Sequence, residues 1–205
     1  MLRALTVVSL AGLLTAVGCS RQPEVAQAPV EEPVTEAAWT TVAPEDLTEA
    51  QAEQQQRAQN AIQTMAGRLM GELSTAMEEG GPDAAIEVCS VRAPEISAAV
   101  GNEFGLHVGR TSFRLRNQSN VPPAWAEPLV EARVEEPIWL VGPDGELAGM
   151  MPIRLRAECT MCHGPREQIA DEVHAKIQDF YPDDEAIGFT EGDLRGWFWV
   201  QAPPT

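Results

Sequence analysis

Five consecutive residues, Cys159-Thr160-Met161-Cys162-His163, constrain the fold of this chain more than any other feature of its sequence. Their C-x-x-C-H spacing lets two thiols add across the two vinyl groups of one haem, while the adjacent imidazole lies beneath the iron as an axial ligand. A chain with this pentad must fold so that all three side chains reach the same cofactor. We therefore predict one covalently attached haem c, bound by Cys159, Cys162 and His163.

Three other interpretations of the pentad are weaker. A thioredoxin-like redox pair expects a strand-to-helix setting at the start of a βαβ unit, which the surrounding sequence lacks. A zinc site needs more ligands; Cys89, His107 and His174 could supply them, but no second C-x-x-C or H-x-x-x-H is present. A disulfide between the two cysteines of the pentad would leave His163 without a role.

The N-terminal segment indicates export. An apolar run over residues 4–17 is too short to span a bilayer comfortably, and it ends in Ala16-Val17-Gly18-Cys19. Small residues before a cysteine resemble a bacterial lipobox. We predict a lipoprotein signal peptide over residues 1–18 and a diacylated Cys19, with an ordinary signal peptide as the alternative. Because Ser20 rather than Asp follows, the protein is expected to be lipid-anchored at the outer membrane and to face the periplasm.

Acidic residues dominate the composition. The 205 residues include 31 Asp and Glu against 14 Lys and Arg, a formal net charge of -17. Such a chain repels phosphate backbones, which argues against a nucleic-acid partner. Prolines without sustained periodicity predict an extended acidic tether over residues 19–44, from which Trp39 could dock on the domain or stay mobile. The folded domain is expected to span residues 45–205.

Hydrophobic periodicity predicts helices first and strands afterwards, and this order indicates an α+β fold. Apolar residues recur at three- and four-residue steps from Glu45 until Gly80-Gly81-Pro82, which is expected to end the first helix. A second helix is predicted from Ala84, broken or restarted at Pro94, to the segment 101–105. The later predicted elements are one or two strands in 106–116, a short helix in 125–134, a hairpin of 138–141 and 147–155 around an Asp-Gly turn, a helix over 167–179 and a strand near 197–200.

Cys89 is the thiol that these assignments leave over. It could be a small buried residue on a helix face. It could also be the second axial ligand of the iron. Reasoning from residue types alone leaves four further candidates open in that role: Met150, Met151, His107 and His174.

Several sequence blocks, spread over about residues 58–200, resemble a family of PAS-like c-type haem domains, formerly a domain of unknown function. They are 85–89 with 93–96, 109–112, 116–122, 158–164, 181–188 and 192–196. The resemblance implies a PAS-like antiparallel sheet with long N-terminal helices, His163 as one axial ligand and Cys89 as the other. The aromatic run Trp197-Phe198-Trp199 departs from the pattern, where smaller or more polar residues are expected.

Arginines within or next to these blocks are candidates for the haem propionates, because guanidinium groups bind carboxylates well. Arg110 and Arg195 are predicted as cofactor-binding residues, and Arg114 and Arg116 are further candidates. The alternative is that these arginines pair with the many acidic side chains of the chain itself.

A thiolate opposite an imidazole stabilises ferric iron, so the ligand pair predicts a low potential. On reduction the thiolate takes up a proton more easily and can leave, which opens the iron to a diatomic ligand. This behaviour suits a redox or ligand sensor without turnover; no output module is evident, so signalling is expected to pass through a partner protein. A monohaem electron carrier for an envelope oxidoreductase is the second interpretation. A peroxidase-like enzyme is the third, but no distal histidine and acid pair is clearly placed for it.

Overall fold

The computed structural model describes residues 39–204. The predicted signal peptide, Cys19 and most of the predicted tether lie outside these residues. The described helices and strands, in chain order, are β1 (Thr40–Thr41), α1 (Glu49–Glu87), α2 (Ala93–Phe104), β2 (His107–Thr111), α3 (Glu127–Glu131), β3 (Ile138–Val141), β4 (Leu147–Arg154), α4 (Thr160–His163), α5 (Asp171–Phe180) and β5 (Leu194–Gln201). Within this range no helix has both the length and the apolar character needed to cross a membrane.

The long helix α1 bends where the sequence predicts that it ends. It begins at a capping box, in which Gln51 N donates to Thr48 Oγ1 at 3.3 Å and Thr48 N donates to Gln51 Oε1 at 3.0 Å. Gly81 has a φ of 68°, which glycine adopts readily because it has no Cβ. Pro82 then fits the first turn of the resumed helix, where no N–H donor is needed. The helix therefore kinks and continues, and its last turn carries Ile86 into an apolar cluster with α5.

A π-helical turn, Val88–Arg92, joins α1 to α2. Of the predicted break or restart at Pro94, the restart is present, because this proline lies in the first turn of α2, where its missing N–H costs nothing. A π-helical turn inserts an extra residue into the helical register and is frequent at functional sites. Cys89 lies in this turn.

The five strands form one antiparallel sheet in the order β1-β3-β4-β5-β2. The predicted hairpin is present as β3 and β4, and its turn is closed by Gly142 N, which donates to Glu146 O at 2.8 Å. Strand β2 is shorter than predicted. Ser112 Oγ donates to Arg195 O at 2.7 Å and accepts from Arg114 N at 3.0 Å, and such side-chain bonds compete with a strand ladder.

Alternate strand residues point to opposite sides of the sheet, and both faces are covered by other elements. On one face α1 and α2 pack on Trp139, Leu147 and Val200. On the other face the segment around α3 packs on Met150 and Trp197. The α+β class, the antiparallel sheet and the long N-terminal helix are thus confirmed.

The folded domain begins before Glu45, so the predicted end of the tether is wrong. Thr40 and Thr41 pair with Val141 and Leu140 at the sheet edge. Trp39 packs against Trp125 with ring centroids 5.6 Å apart. The large aromatic surface that Trp39 buries explains why this segment docks rather than continuing the tether.

Candidate cofactor site

Cys89, Cys159, Cys162 and His163 line one cavity of about 640 Å³. Sites for small molecules and cofactors commonly have volumes of ~300–1,000 Å³. The part of α1 that precedes the kink supplies an apolar wall of the cavity, through residues that include Met70, Leu73 and Met77. The structure therefore brings together four residues that the sequence separates by up to 74 positions.

The three thiols line the cavity and do not converge on one point within it. All of them are unpaired in the described part of the chain. Among residues 39–204 no three His, Cys, Asp or Glu side chains converge closely enough to hold one metal ion. The arrangement therefore suits a group as large as a porphyrin better than it suits the zinc alternative.

The pentad adopts a compact form. Cys159 ends a 3-10 turn, and Thr160–His163 form the single helical turn α4. Cys162 packs against the apolar cluster of α5, and Cys159 packs against the cluster around Leu155. Burial raises the pKa of the Cys162 thiol, so this group is neutral near pH 7.

His163 is held as a neutral imidazole with a defined tautomer. Burial, and next the charge of Arg116, lower its pKa well below the usual value. Its Nδ1 lies 2.7 Å from Ala186 O, and a carbonyl oxygen only accepts, so Nδ1 carries the proton. Nε2 is then the unprotonated nitrogen, and this is the state in which histidine ligates a metal.

Arg195 lies against the same imidazole, with its Nε 3.3 Å from His163 Nδ1. Because His163 Nδ1 already carries a proton, both nitrogens are donors. Their proximity is therefore a contact and not a hydrogen bond. The guanidinium is held instead by Nη1, which donates to Ser112 Oγ at 2.9 Å and to Arg114 O at 3.2 Å. Burial, and then the charge of Arg116, lower the pKa of Arg195 to about 9, so it is still charged at pH 7.

Residues 184–189, which we call the strap, hydrogen-bond to His163 and Gly164 at the end of the pentad. Gly188 N donates to Gly164 O at 2.7 Å, and Phe189 N donates to His163 O at 2.9 Å. Together with the bond between His163 Nδ1 and Ala186 O, they fix the histidine through both its backbone and its ring. The sequence gives no local sign of the strap; its residues stand out only as part of the blocks that carry the family resemblance.

Arg116 and Asp184 form a buried ion pair beside the strap. Their side chains are 10% and 1% exposed. Arg116 also donates from Nη2 to Cys162 O at 2.6 Å. Arg116 lines both cavities, but its guanidinium is bound by protein atoms, so the structure shows the alternative stated for it: this arginine pairs with an acidic side chain of the chain itself.

Arg114 is likewise bound by protein atoms. Its Nε donates to Glu185 O at 2.8 Å, and its Nη2 donates to Ile187 O. Its guanidinium also lies over the Phe189 ring, 4.7 Å from the centroid. It supports the strap from outside, and it does not line either of the two cavities described here.

Arg110 differs from these arginines. No hydrogen bond or ion pair joins its guanidinium to another residue of the described segment, and burial lowers its pKa. It lines the large cavity and also an adjoining cavity of about 170 Å³. The smaller cavity has a polar wall, which Arg195, Ser112, Asn117 and Asn120 help to form. Two charged guanidinium groups therefore face it without carboxylate partners from residues 39–204.

Tyr181 is a site residue that the sequence analysis did not single out. It is 6% exposed and lines both cavities. Burial, and then the negative charge of Cys89, raise its pKa to about 12, so it stays a phenol that can donate a hydrogen bond. Its position at the start of the resemblance block 181–188 is the signal that could have identified it.

The other candidates for an axial ligand lie elsewhere. Met150 is 0% exposed in the core with Trp197. Met151 packs on the α1 side of the sheet. His107 begins the edge strand β2, and His174 lies within α5. None of these four, and none of the aromatic run 197–199, lines either cavity.

The fold and the site define a class: an α+β domain whose cavity is lined by a C-x-x-C-H segment, a remote cysteine and buried or half-buried arginines. The chain belongs to the Tll0287-like family, whose model matches residues 33–203. Among solved structures it resembles the crystal structure of the cyanobacterial haem protein Tll0287, with a TM-score of 0.58 and 24% sequence identity. That likeness covers 75% of this chain and 96% of the other, and at this identity it shows the fold. A search of curated proteins finds no match.

Proposed function

We propose that this domain carries one haem c, bound through Cys159 and Cys162, with His163 and Cys89 as axial ligands, and that it acts as a redox or ligand sensor. The observation that carries the proposal is the shared cavity of about 640 Å³, lined by all four of these residues. The protein after which the family is named, similar in fold, is a haem protein. When bound, the haem supplies a one-electron redox change and an iron that can take a diatomic ligand.

The chemistry of the cavity walls supports a haem rather than another large cofactor. The neutral His163, with its proton on Nδ1, offers Nε2 to iron. The apolar wall from α1 matches a porphyrin face. Arg110 and Arg195 have no carboxylate partner among residues 39–204, although the chain has a formal net charge of -17, and two propionates would supply the missing negative charge.

Cys89 is the proposed element that responds to redox state. It lies in the π-helical turn, and it lines both cavities with Arg110 and Tyr181. A thiolate stabilises ferric iron, and it is released more easily once the iron is ferrous and needs less charge. Release of Cys89 would then report reduction to a partner protein or admit a diatomic ligand.

Electron transfer is the second candidate function. Met161, within the pentad, is 43% exposed and also lines the cavity. A haem in this cavity would therefore lie close to the protein surface, and an accessible edge is what a transient redox partner needs. The two functions differ in Cys89, because an electron carrier keeps both ligands through the redox cycle.

The envelope location is part of the proposal. Lipid on Cys19 would anchor the domain to the outer membrane on its periplasmic side, with a protein partner in the same compartment. The support is the lipobox-like Ala16-Val17-Gly18-Cys19 after an apolar run. It agrees with the haem assignment, since bacterial attachment to C-x-x-C-H segments takes place outside the cytoplasm.

A redox titration with optical spectra tests the proposal, using wild type and Cys89→Ala. Wild type should show a low-spin ferric spectrum, a low potential, and binding of carbon monoxide after reduction. Cys89→Ala should raise the potential and give a high-spin or water-ligated ferric spectrum. The matched controls are Met150→Leu and His174→Gln, whose side chains lie outside the cavity and should leave the spectrum unchanged. A wild-type spectrum in Cys89→Ala would refute the thiolate assignment, and unchanged ligation on reduction would favour the electron carrier.

A further inference from the structure

We propose that Arg116 and Asp184 are positioning residues, whose buried ion pair holds the Ala186 carbonyl against His163 Nδ1 and so fixes the imidazole in its ligand orientation. This inference rests on the proposed function, because the orientation matters through the iron that His163 would bind. Neither residue hydrogen-bonds to the imidazole itself; both bond to the backbone of Ala186, whose carbonyl oxygen accepts from His163 Nδ1.

The ion pair grips Ala186 by both of its backbone groups. Asp184 Oδ1 accepts from Ala186 N at 2.8 Å. Arg116 Nη2 donates to Ala186 O at 3.3 Å. The two side chains are joined by Arg116 Nε to Asp184 Oδ1 and Nη2 to Asp184 Oδ2, each at 3.1 Å. The backbone of Ala186 is therefore held at both its N–H and its carbonyl, the group that faces the histidine ring.

The same guanidinium also holds the pentad itself. Arg116 Nη2 donates to Cys162 O at 2.6 Å, one residue before the histidine. The planar guanidinium of Arg116 thus binds two carbonyl oxygens at once: that of Cys162 in the pentad and that of Ala186, which accepts from the imidazole. Lysine could not replace it, because a single ammonium lacks the planar fork that reaches several acceptors at once.

Burial of Arg116 and Asp184 restricts the two side chains to this arrangement. With exposures of 10% and 1%, neither Arg116 nor Asp184 can exchange its partner for bulk water. Partners in the outer shell of a metal-bound histidine set its tautomer and ring orientation, and changing them typically costs ~10–100-fold in metal affinity or activity. We assign this role to the pair rather than a contact with the cofactor.

The test uses the full-length chain and the charge-neutral double variant Arg116→Met with Asp184→Leu. Because net charge is unchanged, any effect on the haem cannot come from the charge of one unpaired partner. The matched control is Arg114→Lys, which alters a guanidinium that binds the strap at Glu185 and Ile187 but not at Ala186. A second charge-neutral pair, Arg116→Gln with Asp184→Asn, keeps polar side chains in the buried site and serves if the first double variant does not fold by circular dichroism.

The first readout is the tautomer of His163 in haem-free protein, from ¹⁵N shifts of labelled histidine at fixed pH. Wild type and Arg114→Lys should show the Nδ1–H form. The pair variants should lower the ratio of the Nδ1–H form to the Nε2–H form by about tenfold, the effect of losing one net hydrogen bond to the Nδ1–H form. This readout does not depend on haem, so it tests the positioning role even if the proposed function fails.

The second readout is the haem-loaded protein, by electron paramagnetic resonance and redox titration. A loosely held imidazole donates less to ferric iron, so the ferric signal should broaden and the potential should rise. A tenfold loss of the ferric-state preference corresponds to about 59 mV. An unchanged tautomer ratio, or unchanged spectra and potential in the pair variants, overturns the inference. An equal response from Arg114→Lys also overturns it, because the effect would then be general loosening of the strap.

Discussion

Replacing Arg110 by methionine should stabilise the haem-free protein and destabilise the haem-loaded one. Arg110 carries a half-buried charge that faces the cavities, and no residue of the described segment hydrogen-bonds to it or forms an ion pair with it. A buried charge without a partner costs free energy, so the residue is a burden until an anionic group enters the cavity. Methionine keeps most of the apolar stem that Arg110 packs and removes the charge.

The size of the effect follows from the missing partners. An unsatisfied buried polar group costs ~1–3 kcal/mol, and a charged one more. Because Arg110 is only half-buried, Arg110→Met should raise the free energy of unfolding of the haem-free protein by the low end of this range, about 1 kcal/mol. For a chain of this size each kcal/mol moves the Tm by ~2–4 °C, so the expected rise is roughly 2–4 °C. In the haem-loaded protein the variant loses a charge-assisted bond worth ~1.5–3 kcal/mol, and the sign reverses.

Urea unfolding followed by circular dichroism measures both states. The haem-free background is the full chain with Cys159→Ala and Cys162→Ala, which prevents attachment. The matched control is Arg114→Met, because Arg114 donates to the carbonyl oxygens of Glu185 and Ile187 and does not line the cavities. That control should lower the free energy of unfolding by about 1.5–3 kcal/mol in both states, since its bonds do not depend on haem.

The reasoning is refuted if Arg110→Met destabilises the haem-free protein as Arg114→Met does. That result would mean that the guanidinium of Arg110 is already satisfied by protein or water. A stabilised haem-free protein with no loss in the loaded state would instead show that the propionates bind elsewhere.

Three further predictions address the anchor, the attachment and the sheet. Cys19→Ala should release soluble protein on cell fractionation while wild type stays with membranes, and a wild-type mature N-terminus found unmodified beyond residue 19 by mass spectrometry would contradict lipidation. Wild type should keep its haem through acid-acetone extraction, whereas Cys159→Ala with Cys162→Ala should not; free haem extracted from wild type would exclude covalent attachment. In Gly196→Ala the new Cβ would lie 2.3 Å from Thr111 O, so the strands must shift at a cost of ~1–3 kcal/mol in thermal unfolding. The matched change Gly67→Ala meets no atom within 4 Å and should gain ~0.5–1 kcal/mol; equal effects of the two would refute the steric argument.

Elements governed by local chemistry could be predicted from the sequence. The β3–β4 hairpin follows from alternating apolar residues around Asp144-Gly145, and these signals act within a few positions. The grouping of Cys89 with the pentad in one cavity agrees with what the family resemblance implied. The end of α1 was harder to predict, because Gly81 and Pro82 allow either a stop or a kink, and packing of Ile86 on α5 decides between them.

Features that depend on distant partners could not be predicted. The candidates Arg110, Arg114, Arg116 and Arg195 are alike as residues, and what separates them is where each guanidinium finds acceptors. Arg116 finds Asp184, 68 residues later, while Arg110 finds none among residues 39–204. The π-helical turn at Cys89 escaped prediction for a related reason, since hydrophobic periodicity cannot register a single inserted residue.

The position of the strap along the chain has a consequence for the order of folding. Arg116, the pentad and Asp184 are joined by bonds that span 46 and 68 residues. Such long loops lose much entropy on closing, so contacts of this kind form late and limit the folding rate. During synthesis the pentad also emerges before Asp184. The nascent chain therefore passes through a stage in which both thiols of the pentad are accessible and its histidine is still free to turn.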